Sequence, residues 1–163
     1  MKLYIYLFIL LNSLNAFPNT DKKEHNIIIS IDGNIPVGQI SKISIEYIND
    51  DNVKSSIAID YYPGKLFINE QDEQIISNLK NKELTLCFNY NQLCKDKIKT
   101  KRFEIDLSYS IICNPYLVLN VYTMEKNKQI FYPLKNKDYT FEYDLPNQAS
   151  LRRVTKKDRN CKC

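Results

Sequence analysis

The chain has 163 residues, 44% hydrophobic and 26% charged, with twelve tyrosines, no tryptophan, three glycines and a formal net charge of +4. So few glycines exclude a collagen-like or glycine-rich disordered chain, and the length suits one domain with a sizeable core. Abundant Ile, Tyr, Phe and Val favour strands over helices.

Residues 1–16, MKLYIYLFILLNSLNA, place Lys2 before an apolar run from Leu3 to Leu11 and end on Ala16. A basic start, an apolar segment of about ten residues and a small closing residue form a secretory signal peptide. The run is short of the roughly 20 residues that a membrane-spanning helix needs. No later segment is apolar enough, so no transmembrane segment is expected. The chain thus divides into a leader over 1–16, a domain over 17–150 and a basic, cysteine-bearing tail over 151–163.

Within the domain, Asn26 to Asp51 supplies the organising pair of strands. An apolar run, Ile27 to Ile31, breaks at Asp32-Gly33, with Pro36 and Gly38 following. Then Ile43, Ile45 and Tyr47 alternate with Lys42, Ser44 and Glu46, the period of a half-buried strand. Val53 to Asp60 is the next strand, closed by Tyr61-Tyr62-Pro63-Gly64, and Lys65 to Asn69 follows that turn. Ile75, Ile76 and Leu79 give Glu70 to Lys82 helical spacing, over a length that allows one short helix. Glu83 to Phe88 alternates again, Asn89 to Leu93 reads as a turn, and Lys101 to Leu107 puts Phe103, Ile105 and Leu107 on one face. Ile111 to Met124 is apolar on both faces, which suits a central strand. Pro133 marks Gln129 to Leu134 as an edge strand or a strand end. Tyr139, Phe141 and Tyr143 alternate with Thr140, Glu142 and Asp144 in the last strand. Seven to eight short strands with turns between them predict an all-β fold, an antiparallel β-sandwich with at most one short helix.

Catalytic machinery is absent from this pattern. The single histidine, His25, lies next to the expected mature terminus, where a rigid site is hard to build. There is no Gly-x-Ser-x-Gly elbow, phosphate loop or His-Glu-x-x-His run. Asp50, Asp51 and Asp60 do not have calcium-loop spacing, and they read as solvated loop acids. No enzyme activity, cofactor or metal is expected. Cys87, Cys94, Cys113, Cys161 and Cys163 should pair in an oxidising compartment, leaving one over. Cys87 and Cys94 flank what reads as a short loop and form a candidate local pair. Cys113 with Cys161 or Cys163 is the candidate bridge that pins the tail. Zinc is the rival reading, but only one histidine and no second Cys pair at zinc spacing are present. The twelve tyrosines read mainly as strand packing, with Tyr61-Tyr62 at a turn as a possible partner contact.

The tail carries Arg152, Arg153, Lys156, Lys157, Arg159 and Lys162 against Asp158 alone. Such a run attracts anionic glycan or lipid surfaces. The favoured reading of the run is nonetheless a solvated, mobile terminus, and a dibasic processing site is a third option. Nucleic acid is not an expected partner.

These residues resemble the nematode transthyretin-like family, small secreted β-sandwich proteins. Three places carry the likeness. Ile28-Ile29-Ser30-Ile31-Asp32-Gly33 with Pro36, then Ile43 to Asp51, is similar to the family's opening strand, turn and second strand. Asn114-Pro115-Tyr116-Leu117-Val118-Leu119-Asn120-Val121-Tyr122 looks like its proline-led central strand, and Asp158-Arg159-Asn160-Cys161 is similar to its cysteine-bearing end. The family's histidine and cysteine after the central strand are missing. The resemblance implies an extracellular, non-enzymatic protein that binds a partner protein or a small apolar ligand. A structural or adhesive module held on an anionic surface by its tail is the alternative. The fold also houses 5-hydroxyisourate hydrolases, but a chain with one histidine and a Cys-Lys-Cys end lacks that enzyme's residues.

Expressed in a secreting eukaryotic host, the chain should appear in the medium beginning at Phe17, which N-terminal sequencing checks. Retention inside the cell with Met1 intact would contradict the leader.

Overall fold

The computed structural model describes residues 22–79, 83–94 and 97–146. The expected leader and the basic tail, with Cys161 and Cys163, lie outside the described residues. What is described is an all-β sandwich of ten strands and three short helices. In chain order these are β1 (Lys22–His25), β2 (Ile27–Ile31), β3 (Ile40–Ile48), β4 (Lys54–Ala58), β5 (Asp60–Tyr62), β6 (Lys65–Asn69), helix α1 (Glu70–Asn78), β7 (Leu84–Cys94), β8 (Lys97–Leu107), single-turn helix α2 (Tyr109–Ile112), β9 (Leu117–Thr123), single-turn helix α3 (Met124–Asn127) and β10 (Tyr139–Asp144).

One sheet has the order β4-β3-β7-β8, and two three-stranded sheets run β1-β6-β5 and β10-β9-β2. Their inward residues meet in a single core. Ile27, Ile29 and Ile31 come from β2, Leu66 and Ile68 from β6, and Leu117, Leu119 and Val121 from β9. Opposite them stand Ile45, Leu86, Phe88, Phe103 and Ile105 of the four-stranded sheet. Period-two alternation along each strand is what delivers these side chains to one side. Phe103 is fully buried between Phe88, with ring centroids 5.4 Å apart, and Tyr139, edge-on at 4.9 Å. The Tyr139 hydroxyl donates to the Glu104 carbonyl at 2.8 Å and accepts from the Glu104 N–H at 2.9 Å. That pairing stitches β10 of one layer to β8 of the other.

The turn read at Asp32-Gly33 is present, and both residues take positive φ, 51° and 81°. The Asp32 carboxylate accepts hydrogen bonds from the Thr123 N–H and hydroxyl, each at 2.7 Å, and from Asn127 Nδ2 at 2.6 Å. Those bonds hold a non-glycine residue in a left-handed conformation that sterics otherwise disfavour.

Several local readings change. Strands β2 and β9 pair in parallel, the exception to an otherwise antiparallel set. Residues 89–93 form no turn: β7 continues to Cys94, laddered against β8 from Leu84↔Leu107 to Cys94↔Lys97. Its outer half carries Asn89, Asn91 and Gln92 and leaves Leu93 exposed, so the ladder itself, not apolar alternation, extends it. Cys87 and Cys94 therefore lie on one strand, about 23 Å apart at the usual rise per residue, too far for a disulfide. The local bridge is ruled out, and among the described residues Cys87, Cys94 and Cys113 form no disulfide with one another; the expected partners of Cys113, Cys161 and Cys163, lie outside the described residues. Residues 129–134 form no strand, since Pro133 offers no N–H to a ladder; Phe131 instead stacks on Tyr122 at 4.3 Å. The apolar stretch from Ile111 opens as the α2 turn and becomes strand only at Leu117.

Replacing Phe103 with Ala should cost about 3–5 kcal/mol, the range for truncating a fully buried aromatic residue. Urea unfolding measures it, and a loss below 1 kcal/mol would mean that the two layers do not meet there.

Candidate functional site

Strand β1 was not foreseen, and it delivers the most concentrated chemistry in the described chain. His25 continues the inward row of Ile27, Ile29 and Ile31, two residues before it, and is buried. Strand β1 pairs antiparallel with β6, from Lys22↔Asn69 to His25↔Leu66. Strand β6 runs directly into α1, whose first turn carries Glu70, Asp72 and Glu73, suited to the positive end of a helix. Glu73 and Ile76 face inward. Glu73 thus reaches His25 although the two are 48 residues apart in sequence.

The third contributor is the loop after α2. Asn26 Nδ2 donates to the Pro115 carbonyl at 2.9 Å, and the Leu117 N–H donates to the Asn26 carbonyl at 2.9 Å. These bonds hold the residues around Pro115 against the β1–β2 junction. Cys113, exposed at the C-cap of α2, comes with them.

Glu73 is the hub. Its Oε2 lies 3.0 Å from His25 Nε2, while Oε1 accepts from Lys23 Nζ and from the Tyr109 hydroxyl, each at 2.8 Å. One atom each from His25, Glu73 and Cys113 lies within 4.8 Å of the other two. Burial by itself opposes ionisation of Glu73, but the Lys23 ammonium, the Tyr109 hydroxyl and His25 outweigh it and hold the carboxyl below its ordinary range. Burial, then the Cys113 thiol and Glu73, push the Tyr109 hydroxyl up, so it stays protonated and donates. The hydrogen bond to Glu73 raises Lys23.

The other thiols differ in character. Cys87 is fully buried on the outer face of the four-stranded sheet. Above it, Glu46 bridges Lys54 at 2.6 Å and Arg102 at 2.8 Å. Burial, reinforced by Glu46, pushes the Cys87 thiol up to about 11, which makes it inert. Cys94 is exposed at the end of β7.

The remaining sequence candidates do not converge. Asp60 takes the Lys22 ammonium at 2.6 Å, whereas Asp50 and Asp51 belong to the turn at the other end of β4. The paired tyrosines separate: the Tyr61 hydroxyl accepts the Ile29 N–H at 3.1 Å, while Tyr62 is exposed. Arg152, Arg153, Lys156, Lys157, Arg159 and Lys162 lie outside the described residues. Among the described residues, one cavity has Asp32, Tyr90, Lys99, Lys101 and Glu125 in its lining, and another has Glu46, Lys54, Glu104 and Asp106.

One signal for the buried cluster was present in the sequence: a histidine in phase with an inward isoleucine row. Beginning the strand at Asn26 discarded it. Nothing in the spacing pointed to Glu73 or Cys113, since pairing and a loop tether bring them in. No family model, curated protein or solved structure matches the chain.

Replacing Glu73 with Ala leaves a buried imidazole and a tyrosine hydroxyl without their acceptor, and should cost about 2–4 kcal/mol at neutral pH. A depressed carboxyl contributes stability above its unfolded pKa, and that contribution is lost as pH falls through the folded one. The gap between the unaltered chain and Glu73→Gln should therefore close on the acid side of about pH 4. Urea unfolding across that range checks both, and a gap that persists unchanged at low pH would contradict the ionised hub.

Proposed function

We propose that this chain is an exported, non-enzymatic β-sandwich binding protein of the transthyretin-like kind, and that its binding end is the tip of the β7–β8 hairpin. The observation that carries the reading is the cross-strand pair Leu93↔Ile98, 71% and 72% exposed. Two aliphatic side chains side by side in water favour burial against a partner. The hairpin outruns its neighbour, because β3 pairs with β7 only as far as Tyr90. The resemblance to secreted sandwich proteins supplies the expectation of export, and the all-β architecture is compatible with it.

A second reading has a specific observation behind it. Residues 95–102 read KDKIKTKR, five positive charges against one negative. Lys99, Lys101 and Arg102 are paired with Glu125, Asp138 and Glu46, while Lys97 is exposed beside the apolar pair. An apolar tip with basic flanks fits an acidic lipid surface, with the tail adding charge.

Sedimentation of the full chain with phosphatidylcholine vesicles containing phosphatidylserine separates the contributions. Removing the aliphatic pair in L93S/I98S should weaken binding at least ten-fold without lowering Tm, since about 1.5–3 kcal/mol attends burial of each side chain. Truncation after Ser150 reports the share of the tail. Undiminished binding by L93S/I98S would remove the hairpin from the account. Failure of the full chain to bind these vesicles would remove the membrane as partner.

A further inference from the structure

We propose that His25, Glu73 and Cys113 form a binding site for a divalent transition metal of the zinc class, through one imidazole nitrogen, one carboxylate oxygen and one thiolate. Zinc takes nitrogen, oxygen and sulfur at about 2.0–2.3 Å, so tetrahedral ligand atoms stand about 3.2–3.7 Å apart. His25 Nε2 and Glu73 Oε2 are 3.0 Å apart, and all three donors lie within 4.8 Å of one another. Shifts of about an ångström therefore suffice to close the set around one ion.

The carboxylate is already arranged for a single bond to metal. Its Oε1 is occupied by Lys23 Nζ and the Tyr109 hydroxyl, and Oε2 is the atom turned to the imidazole. Outer hydrogen bonds of this kind fix the orientation of a metal-ligating carboxylate. The carboxylate, the thiolate and a neutral imidazole cancel the two charges of a divalent ion, the Lys23 ammonium on Oε1 leaves the cluster one positive charge, and the thiol proton and any Nε2 proton are released to solvent. One oxygen among three donors does not suit calcium or magnesium, which want oxygen shells. Mixed nitrogen and sulfur donors suit zinc and its spectroscopic substitute cobalt. Because Cys113 is exposed, the fourth position opens to water or to an incoming ligand.

The donors come from three separate places, β1, α1 and the end of α2, each held by its own hydrogen bonds. The low count of histidines and cysteine pairs was the reason to set zinc aside. The fold answers that objection by spending the one histidine here. The metal site is independent of the hairpin tip, and it requires Cys113 to stay reduced in place of bridging to Cys161 or Cys163.

Titration of Co²⁺ into the reduced full chain, followed by the thiolate-to-cobalt charge-transfer band and reversed by Zn²⁺, tests it. One equivalent should bind. C113S, at an exposed position and with its fold checked by circular dichroism, should lose the band and at least ten-fold in affinity. Y109F should lose about ten-fold through the carboxylate it orients. C161S/C163S, which removes the Cys-Lys-Cys end, should keep the band. Binding by C113S equal to that of the unaltered chain, loss of the band in C161S/C163S, or recovery of Cys113 in a disulfide would overturn the proposal.

Discussion

Asn26 is the constraint on which the arrangement turns. The segment from Lys22 to Ile31 is a single extended run, yet its two halves belong to different sheets, β1 on β6 and β2 on β9. At the switch, the Ile27 N–H donates to the Gly64 carbonyl at 3.1 Å, the Asn26 carbonyl accepts from Leu117, and the Asn26 side chain reaches Pro115. Backbone groups that leave one ladder must find partners elsewhere or lose the free energy of an unmade bond. Here the partners come from the β5–β6 turn and from the approach to β9. Satisfying the backbone at one residue thus fastens three distant parts of the chain to one another.

The consequence is chemical as well as architectural. With β1 pinned to β6, helix α1 starts beside His25, and with the Pro115 loop tied to Asn26, Cys113 arrives from the other side. Glu73 then satisfies three donors with two oxygens. No described buried side-chain nitrogen or oxygen is left without a partner, so the cluster is stable as a hydrogen-bonded unit. Its exposed thiol is what separates it from an ordinary buried ion pair. The second polar cluster, Lys54, Glu46 and Arg102 over Cys87, shows the contrast. There the thiol is sealed under charged side chains and pushed out of the reactive range.

Much of the fold was legible because strands announce themselves by alternation. Ile43, Ile45 and Tyr47, Phe103, Ile105 and Leu107, and Leu117, Leu119 and Val121 all occupy inward faces, apart from the half-buried Tyr47. Lys65–Asn69 keeps the bounds its composition gives. Illegible were features made by pairing and not by pattern: the outer half of β7, the charged strand β1, and the parallel match of β2 with β9. Lys22, Lys23 and Glu24 carry no apolar periodicity, so only the ladder to β6 makes them a strand. For the same reason the site was invisible, since residues 25, 73 and 113 share no local motif.

The chain contains one histidine, so the ring resonances of His25 are a direct report on whether the Asn26 switch assembles this cluster. Nuclear Overhauser spectra of the full chain should show the His25 ring against the side chains of Glu73 and Cys113. A His25 ring with free solvent exchange and no such contacts would contradict the account at its centre.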